Sequence, residues 1–142
     1  MSVRHILAEK GSHVEVIGSE ATLEDAVQIL GLKRIGAVLV VDPDGALRGI
    51  LSERDILRAI MRGPEALGDS VLTHMTADLT CCKLATPLID VMDAMTNGRF
   101  RHMPVINEAG LCGIVSIGDV VKQRLAEIEA ETDAMRTYIA TA

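Results

Sequence analysis

The chain has 142 residues, of which 49% are hydrophobic and 24% charged, a balance that fits a folded globular chain and not a disordered one. A formal charge of −6 and an aromatic content of 1%, from Phe100 and Tyr138, argue against nucleic acid as a partner, because that needs cations on phosphates and rings to stack on bases. The longest apolar run, from Ile35 to Val41, is far short of the roughly 20 residues that cross a bilayer. No hydrophobic leader precedes it, and Cys81, Cys82 and Cys112 suit reduced thiols, so a cytoplasmic protein with no membrane contact is expected.

In chain order, Val14 to Ile17 predicts a short strand, and Thr22 an N-cap for a helix with Leu23, Ala26, Val27 and Leu30 on one face. Gly36 to Val41 is a nearly continuous apolar strand, the turn Asp42-Pro43-Asp44-Gly45 follows, and Ala46 to Leu51 returns beside it. A helix then runs from Ser52 to about Met61, and Gly63, Pro64 and Gly68 punctuate a connector. The plan repeats: a strand from Leu79 to Cys82, a helix from Pro87 to Thr96, strands from His102 to Ile106 and Leu111 to Val115, and a helix from Ser116. Met75, Met92, Met95 and Met103 read as core fillers.

The repetition is visible in the residues themselves. Gly49-Ile50-Leu51-Ser52-Glu53-Arg54-Asp55-Ile56 returns 64 positions later as Gly113-Ile114-Val115-Ser116-Ile117-Gly118-Asp119-Val120. Val40-Val41-Asp42-Pro43-Asp44-Gly45 returns at an offset of 65 as Val105-Ile106-Asn107-Glu108-Ala109-Gly110, and Thr22 matches Thr86. A unit of about 60 residues buries too little surface to be secure alone, so the two copies are expected to share one core. The boundaries read as 8–62 for the first repeat, 63–70 for the connector, 71–128 for the second repeat and 129–142 for a helical extension. Val121, Leu125, Ile128, Thr132, Met135 and Ile139 are spaced 4, 3, 4, 3 and 4 apart, an apolar seam that packs either on its own domain or on a second subunit.

The repeated Ser-x-x-Asp has two readings. As a capping box, the serine hydroxyl takes the amide three residues on and the acid reaches back to the serine amide. As a ligand site, the hydroxyl and carboxylate share the two hydroxyls of a ribose, Gly49 or Gly113 lets a ligand approach the backbone, and a phosphate finds its cation in Arg54, or in Arg99, Arg101 and His102. The second motif carries Ile117-Gly118 where the first carries Glu53-Arg54, so the two sites should differ. His5, His13, His74 and His102 lack zinc-site spacing and the cysteines form no C-x-x-C pair; a metal is not expected. Nor is catalysis, since no nucleophile elbow, phosphate loop or metalloprotease motif occurs.

The doubled Gly-Ile-Leu-Ser-Glu-Arg-Asp and Gly-Ile-Val-Ser-Ile-Gly-Asp, with Arg-Phe-Arg-His-Met-Pro-Val before the latter, resembles a tandem CBS-domain pair, the Bateman module, and over nearly its whole length the small stand-alone bacterial CBS-pair proteins. The resemblance implies an α+β fold of two β-α-β-β-α repeats related by a pseudo-twofold axis, with two clefts for adenosine-containing ligands such as AMP, ADP, ATP, NAD(H) or S-adenosylmethionine. It also implies a disc-like homodimer. By position, Ser52 with Asp55 and Ser116 with Asp119 would hold ribose hydroxyls. Gly36, Ala37 and Val38, or Arg101, His102, Met103 and Pro104, would line the sugar-phosphate side, with Val16 and Ile17, or Thr80 and Cys81, flanking adenine. The expected function is a non-enzymatic sensor that signals to a separate protein. The alternatives are a dimeric scaffold with vestigial clefts and a redox-linked regulator using Cys81 or Cys82.

Overall fold

The structure, a computed structural model, describes residues 1–141. Its elements in chain order are α1 Val3–Lys10, β1 Val16–Gly18, α2 Leu23–Lys33, β2 Ala37–Val41, β3 Leu47–Ser52, α3 Glu53–Met61, a 3-10 turn Pro64–Gly68, α4 Val71–His74, α5 Leu88–Gly98, β4 His102–Asn107, β5 Gly110–Ser116 and α6 Ile117–Thr141. The α+β class and the doubled plan are as expected.

The chain divides into two compact units, Val14–Leu79 and Met1–His13 together with the chain from Thr80 on. In the first, β1 pairs in parallel with β2 (Ile17 opposite Val40) and β2 in antiparallel with β3 (Ala37 opposite Ser52). Ile17, Leu23, Ala26, Leu30, Val38, Val40, Leu51, Ile56, Ala59, Ala66 and Val71 form its core. In the second, β4 pairs in antiparallel with β5, and the core holds Val3, Ile6, Leu7, Cys82, Leu88, Val91, Met95, Met103, Val105, Val115 and Val120.

Each unit thus holds an apolar cluster of its own. Each unit completes its core with the segment that leads into the other repeat. Val3, Ile6 and Leu7 of α1 pack on the second repeat, while Ala66, from the stretch expected as a bare connector, and Val71, expected as the first residue of the second repeat, pack on the first. The lead-ins dock alike, by an antiparallel bridge of Ser2 with Pro87 in one unit and of Ser70 with Thr22 in the other. Helix α1 was not foreseen, although Val3, Ile6 and Leu7 have the 3, 4 spacing of a helical face.

The expected strand Leu79 to Cys82 shrinks to a single parallel bridge, Cys82 with Val105. Proline explains it. In the first repeat the Leu39 amide donates to the Glu15 carbonyl (3.3 Å) and extends the ladder backwards from Ile17; the residue equivalent to Leu39, 65 positions on, is Pro104, which has no N–H to give to Thr80. The two helix starts differ as well. Thr22 caps α2 by accepting from the Asp25 amide (3.3 Å), whereas the N-cap of α5 is Pro87 and Thr86 instead accepts from the Lys83 amide (2.9 Å).

Candidate functional site

Each Ser-x-x-Asp lies where the last strand of a repeat turns into its last helix. At the first, the Ser52 amide donates to Asp55 Oδ2 (2.9 Å), the Ser52 hydroxyl to the same oxygen (3.0 Å), and the Asp55 amide to Ser52 Oγ (3.3 Å). At the second, the Ser116 amide donates to Asp119 Oδ2 (2.9 Å) and the Asp119 amide to Ser116 Oγ (3.2 Å). Both capping boxes are therefore formed, with each acid turned towards its own serine. Only Oδ2 is used, however: neither Asp55 Oδ1 nor Asp119 Oδ1 makes a hydrogen bond among the described residues. Both aspartates are half-buried.

Within each unit the sheet register gathers several of the candidates. Ala37 lies opposite Ser52 and the Gly36 carbonyl accepts from the Glu53 amide (3.0 Å), which fastens the start of β2 to the start of α3. His102 lies opposite Ser116 and the Arg101 carbonyl accepts from the Ile117 amide (2.8 Å) in the same way. Arg54 is exposed in the first turn of α3, and the Arg101 side chain is exposed too. Val38, Ile17 and Met103 are core residues at 0%, 5% and 1% exposure, and Ala37 and Pro104 are buried, so these five present main chain more than side chain. Val16, Thr80 and Cys81 are exposed; Val16 pairs with Leu39, and Thr80 and Cys81 precede the Cys82 bridge.

Sequence reasoning missed Lys10. From the end of α1 its ammonium donates to Asp119 Oδ2 (2.7 Å) and to the Ile114 carbonyl (3.1 Å). Burial alone would raise the Asp119 pKa, but the hydrogen bonds from Lys10 and Ser116 and the charge of Lys10 outweigh it, and the carboxyl is held below its usual range. Asp55 has no cation of this kind among the described residues. The surroundings of the two turns thus differ through a residue 109 positions away in sequence, for which no local signal exists.

Two expectations change. A Cβ on Gly49 would stand 2.6 Å from the Thr76 carbonyl oxygen, and one on Gly113 would stand 2.8 Å from Leu7 Cδ1. These glycines admit the lead-in segments of the chain, and not a ligand, to the backbone of β3 and β5. For the cysteines, burial and then its cysteine neighbours push the Cys82 thiol up to about 12, and burial raises that of Cys81; a reactive thiolate needs the opposite environment. A cavity of about 490 Å³ opens between α2 and α3, walled mainly by Val27, Leu30, Ile35, Ile56, Leu57 and Ile60. Of the candidate residues it touches Gly36 but neither Ser52 nor Asp55.

Among the described residues no helix is long and apolar enough to cross a membrane. The chain is 37% identical over 126 residues to the Arabidopsis thaliana CBS domain-containing protein CBSX3, mitochondrial; the match takes in 85% of this chain and 61% of that protein's length. The crystal structure of the CBS-domain containing protein ATU1752 from Agrobacterium tumefaciens superposes with a TM-score of 0.85 and 40% identity, over 87% of this chain and 92% of that one. The fold is also that of the CBS domain pair of protein MJ0100 in complex with 5′-methylthioadenosine and S-adenosyl-L-methionine, at a TM-score of 0.76 and 22% identity over 89% of this chain and 98% of that one. The family described as CBS domain matches twice, over residues 3–62 and 68–126, and with most of its length so covered the chain belongs to the CBS-domain family.

Proposed function

We propose that the protein is a non-enzymatic regulatory module whose two Ser-x-x-Asp turns each bind the ribose of an adenosine-containing ligand, AMP, ADP, ATP or NAD(H), and report its presence to a separate protein. One observation carries the reading: in both repeats the aspartate caps its helix with Oδ2 alone and keeps Oδ1 free for a ribose hydroxyl. Capping and ligand binding are then compatible uses of the same carboxylate. Ser52 and Asp55 serve one site, with Arg54 in reach of solvent and of a phosphate. Ser116 and Asp119 serve the other, where Lys10 adds a cation that moves between the acid and an anionic ligand. The main chain at Gly36, Ala37 and Val38, and at Arg101, His102, Met103 and Pro104, lines the sugar-phosphate side. Val16, Ile17, Thr80 and Cys81 take the adenine. The MJ0100 pair, bound to two adenosine derivatives, lends the ligand class its support. Three unpaired cysteines fit a reducing, cytoplasmic setting.

The test is calorimetry on protein stripped of bound small molecules, with AMP, ATP, NADH and S-adenosylmethionine as probes. Asp→Asn at 55 or 119 keeps an oxygen for the serine amide but loses the charge. At 55 it should leave stability within about 0.5 kcal/mol, and at 119 it should cost about 1 kcal/mol because the Lys10 ion pair goes with the charge; each should weaken binding at its own site by roughly 10- to 150-fold, the worth of a charge-assisted hydrogen bond. No heat from any of the four probes would reject the proposal, and unchanged affinity in both variants would move the site elsewhere.

A further inference from the structure

The first half of α6 is anchored: Val120 is buried, Lys122 pairs with Glu9 at 3.0 Å, and Gln123 donates to the same carboxylate. From Glu129 to Thr141 every residue is exposed. A helical stretch of this length has little stability in water by itself. Along α6, through both halves, runs a stripe of Val121, Leu125, Ile128, Met135 and Ile139, exposed by 40%, 57%, 43%, 60% and 69%. Thr132 belongs to the same stripe and donates its hydroxyl to the Ile128 carbonyl (2.9 Å), so that polar group is already satisfied. The 4, 3 spacing places Val121, Ile128 and Met135 at d positions and Leu125, Thr132 and Ile139 at a positions of a heptad.

The flanking charges select the occupant and its direction. Arg124 and Glu131 fall at g, and Lys122, Glu129 and Arg136 at e. If a second copy lies parallel and in register, each g residue meets the e residue five positions on in its neighbour. Arg124 then faces the partner's Glu129, and Glu131 faces the partner's Arg136. By twofold symmetry each attraction occurs twice. An antiparallel pair with the same layers aligned would set Glu129 against the partner's Glu129, Glu131 against the partner's Glu131, and Lys122 against the partner's Arg136. All three contacts repel.

We infer that residues 121–139 of α6 form a parallel, in-register two-stranded coiled coil with a second copy of this chain. The seam spans about 27 Å at 1.5 Å per residue. It is independent of the ligand sites and of the cavity between α2 and α3.

Position-specific disulfide formation in the full chain tests it. Met135→Cys puts a thiol at d, and Ala130→Cys puts one on the opposite face as a control for random collision. In glutathione redox buffer, with linkages identified by peptide mass spectrometry, position 135 should link to itself at least about tenfold more than position 130. Equal yields overturn the inference, as does preferential linkage of 125 to 135 in a mixture of Leu125→Cys and Met135→Cys chains, the mark of an antiparallel pair. Arg124 contacts the half-buried Glu127 in its own helix, whereas Arg136 has only a 4.0 Å contact with the exposed Asp133, so the charge test uses Glu131 with Arg136. Glu131→Arg should weaken the dimer roughly tenfold in sedimentation, and Glu131→Arg with Arg136→Glu should restore it. Glu131 is exposed, so folding is unaffected and circular dichroism will verify that. A monomeric wild-type chain at micromolar concentration, or a double variant weaker than the single one, overturns the inference.

Discussion

At the residue scale the two aspartates share a helix position but not their surroundings. Among the described residues Asp55 answers only to Ser52, whereas Asp119 also receives the Lys10 ammonium. Replacing Asp55 by Ala removes the acid half of a capping box and should cost about 0.5–1.5 kcal/mol in urea denaturation. Asp119→Ala should cost more, because it leaves Lys10 without its acid. Equal losses would mean that the ion pair adds nothing. Lys10→Met probes the same pair through pH. The Asp119 pKa is depressed in the folded chain, so its contribution is complete above the unfolded value near 3.9 and is lost as pH falls through the lower folded value. The stability gap between wild type and Lys10→Met should be about 1 kcal/mol at neutral pH. It should narrow below about pH 4; a constant gap down to pH 2 would show that the carboxylate is not involved.

At the scale of elements, the strands and helices of each repeat were legible wherever several side chains agreed. The run Gly36–Val41, the turn after it and the Ser52 cap were all read from local chemistry and stand at those places. The strand before Cys82 was misread because its fate depends on a proline in its neighbour, Pro104, more than 20 residues away. Gly49 and Gly113 were noticed but given the wrong occupant, since composition cannot say whether a close approach is by ligand or by chain. What lies against each glycine now ranks the two. Gly49→Ala meets the Thr76 carbonyl oxygen, whereas Gly113→Ala meets the tip of the Leu7 side chain, which can turn aside. The first should therefore lose about 2–3 kcal/mol and the second about 1 kcal/mol or less. The reverse order of melting temperatures would be incompatible with the packing of Met75 and Thr76 on β3.

At the scale of the whole molecule, the exchange of lead-in segments makes each repeat depend on chain that belongs, by sequence, to the other. Val3, Ile6 and Leu7 are 0%, 2% and 9% exposed in the core of the unit that holds the second repeat. Their burial is worth roughly 5–9 kcal/mol at about 1.5–3 kcal/mol each, comparable with the about 5–15 kcal/mol that holds a whole domain together. Deleting residues 1–13 should thus collapse hydrogen-exchange protection across 80–126 while 14–79 stays protected. Uniform loss, or none, would contradict the assignment of α1 to that core.

The sequence by itself determined the doubling, the α+β class, most element boundaries and the Ser-x-x-Asp turns, because these follow from periodicity, turn residues and caps that act within a few positions of one another. Only the tertiary structure decided which lead-in segment completes each core, that Lys10 sits on Asp119, that chain fills the space beside both glycines, and that each acid has a single oxygen committed to its cap. Those outcomes depend on which of many similar apolar surfaces meet. That choice is made by shape and burial across a hundred residues, and no local pattern encodes it.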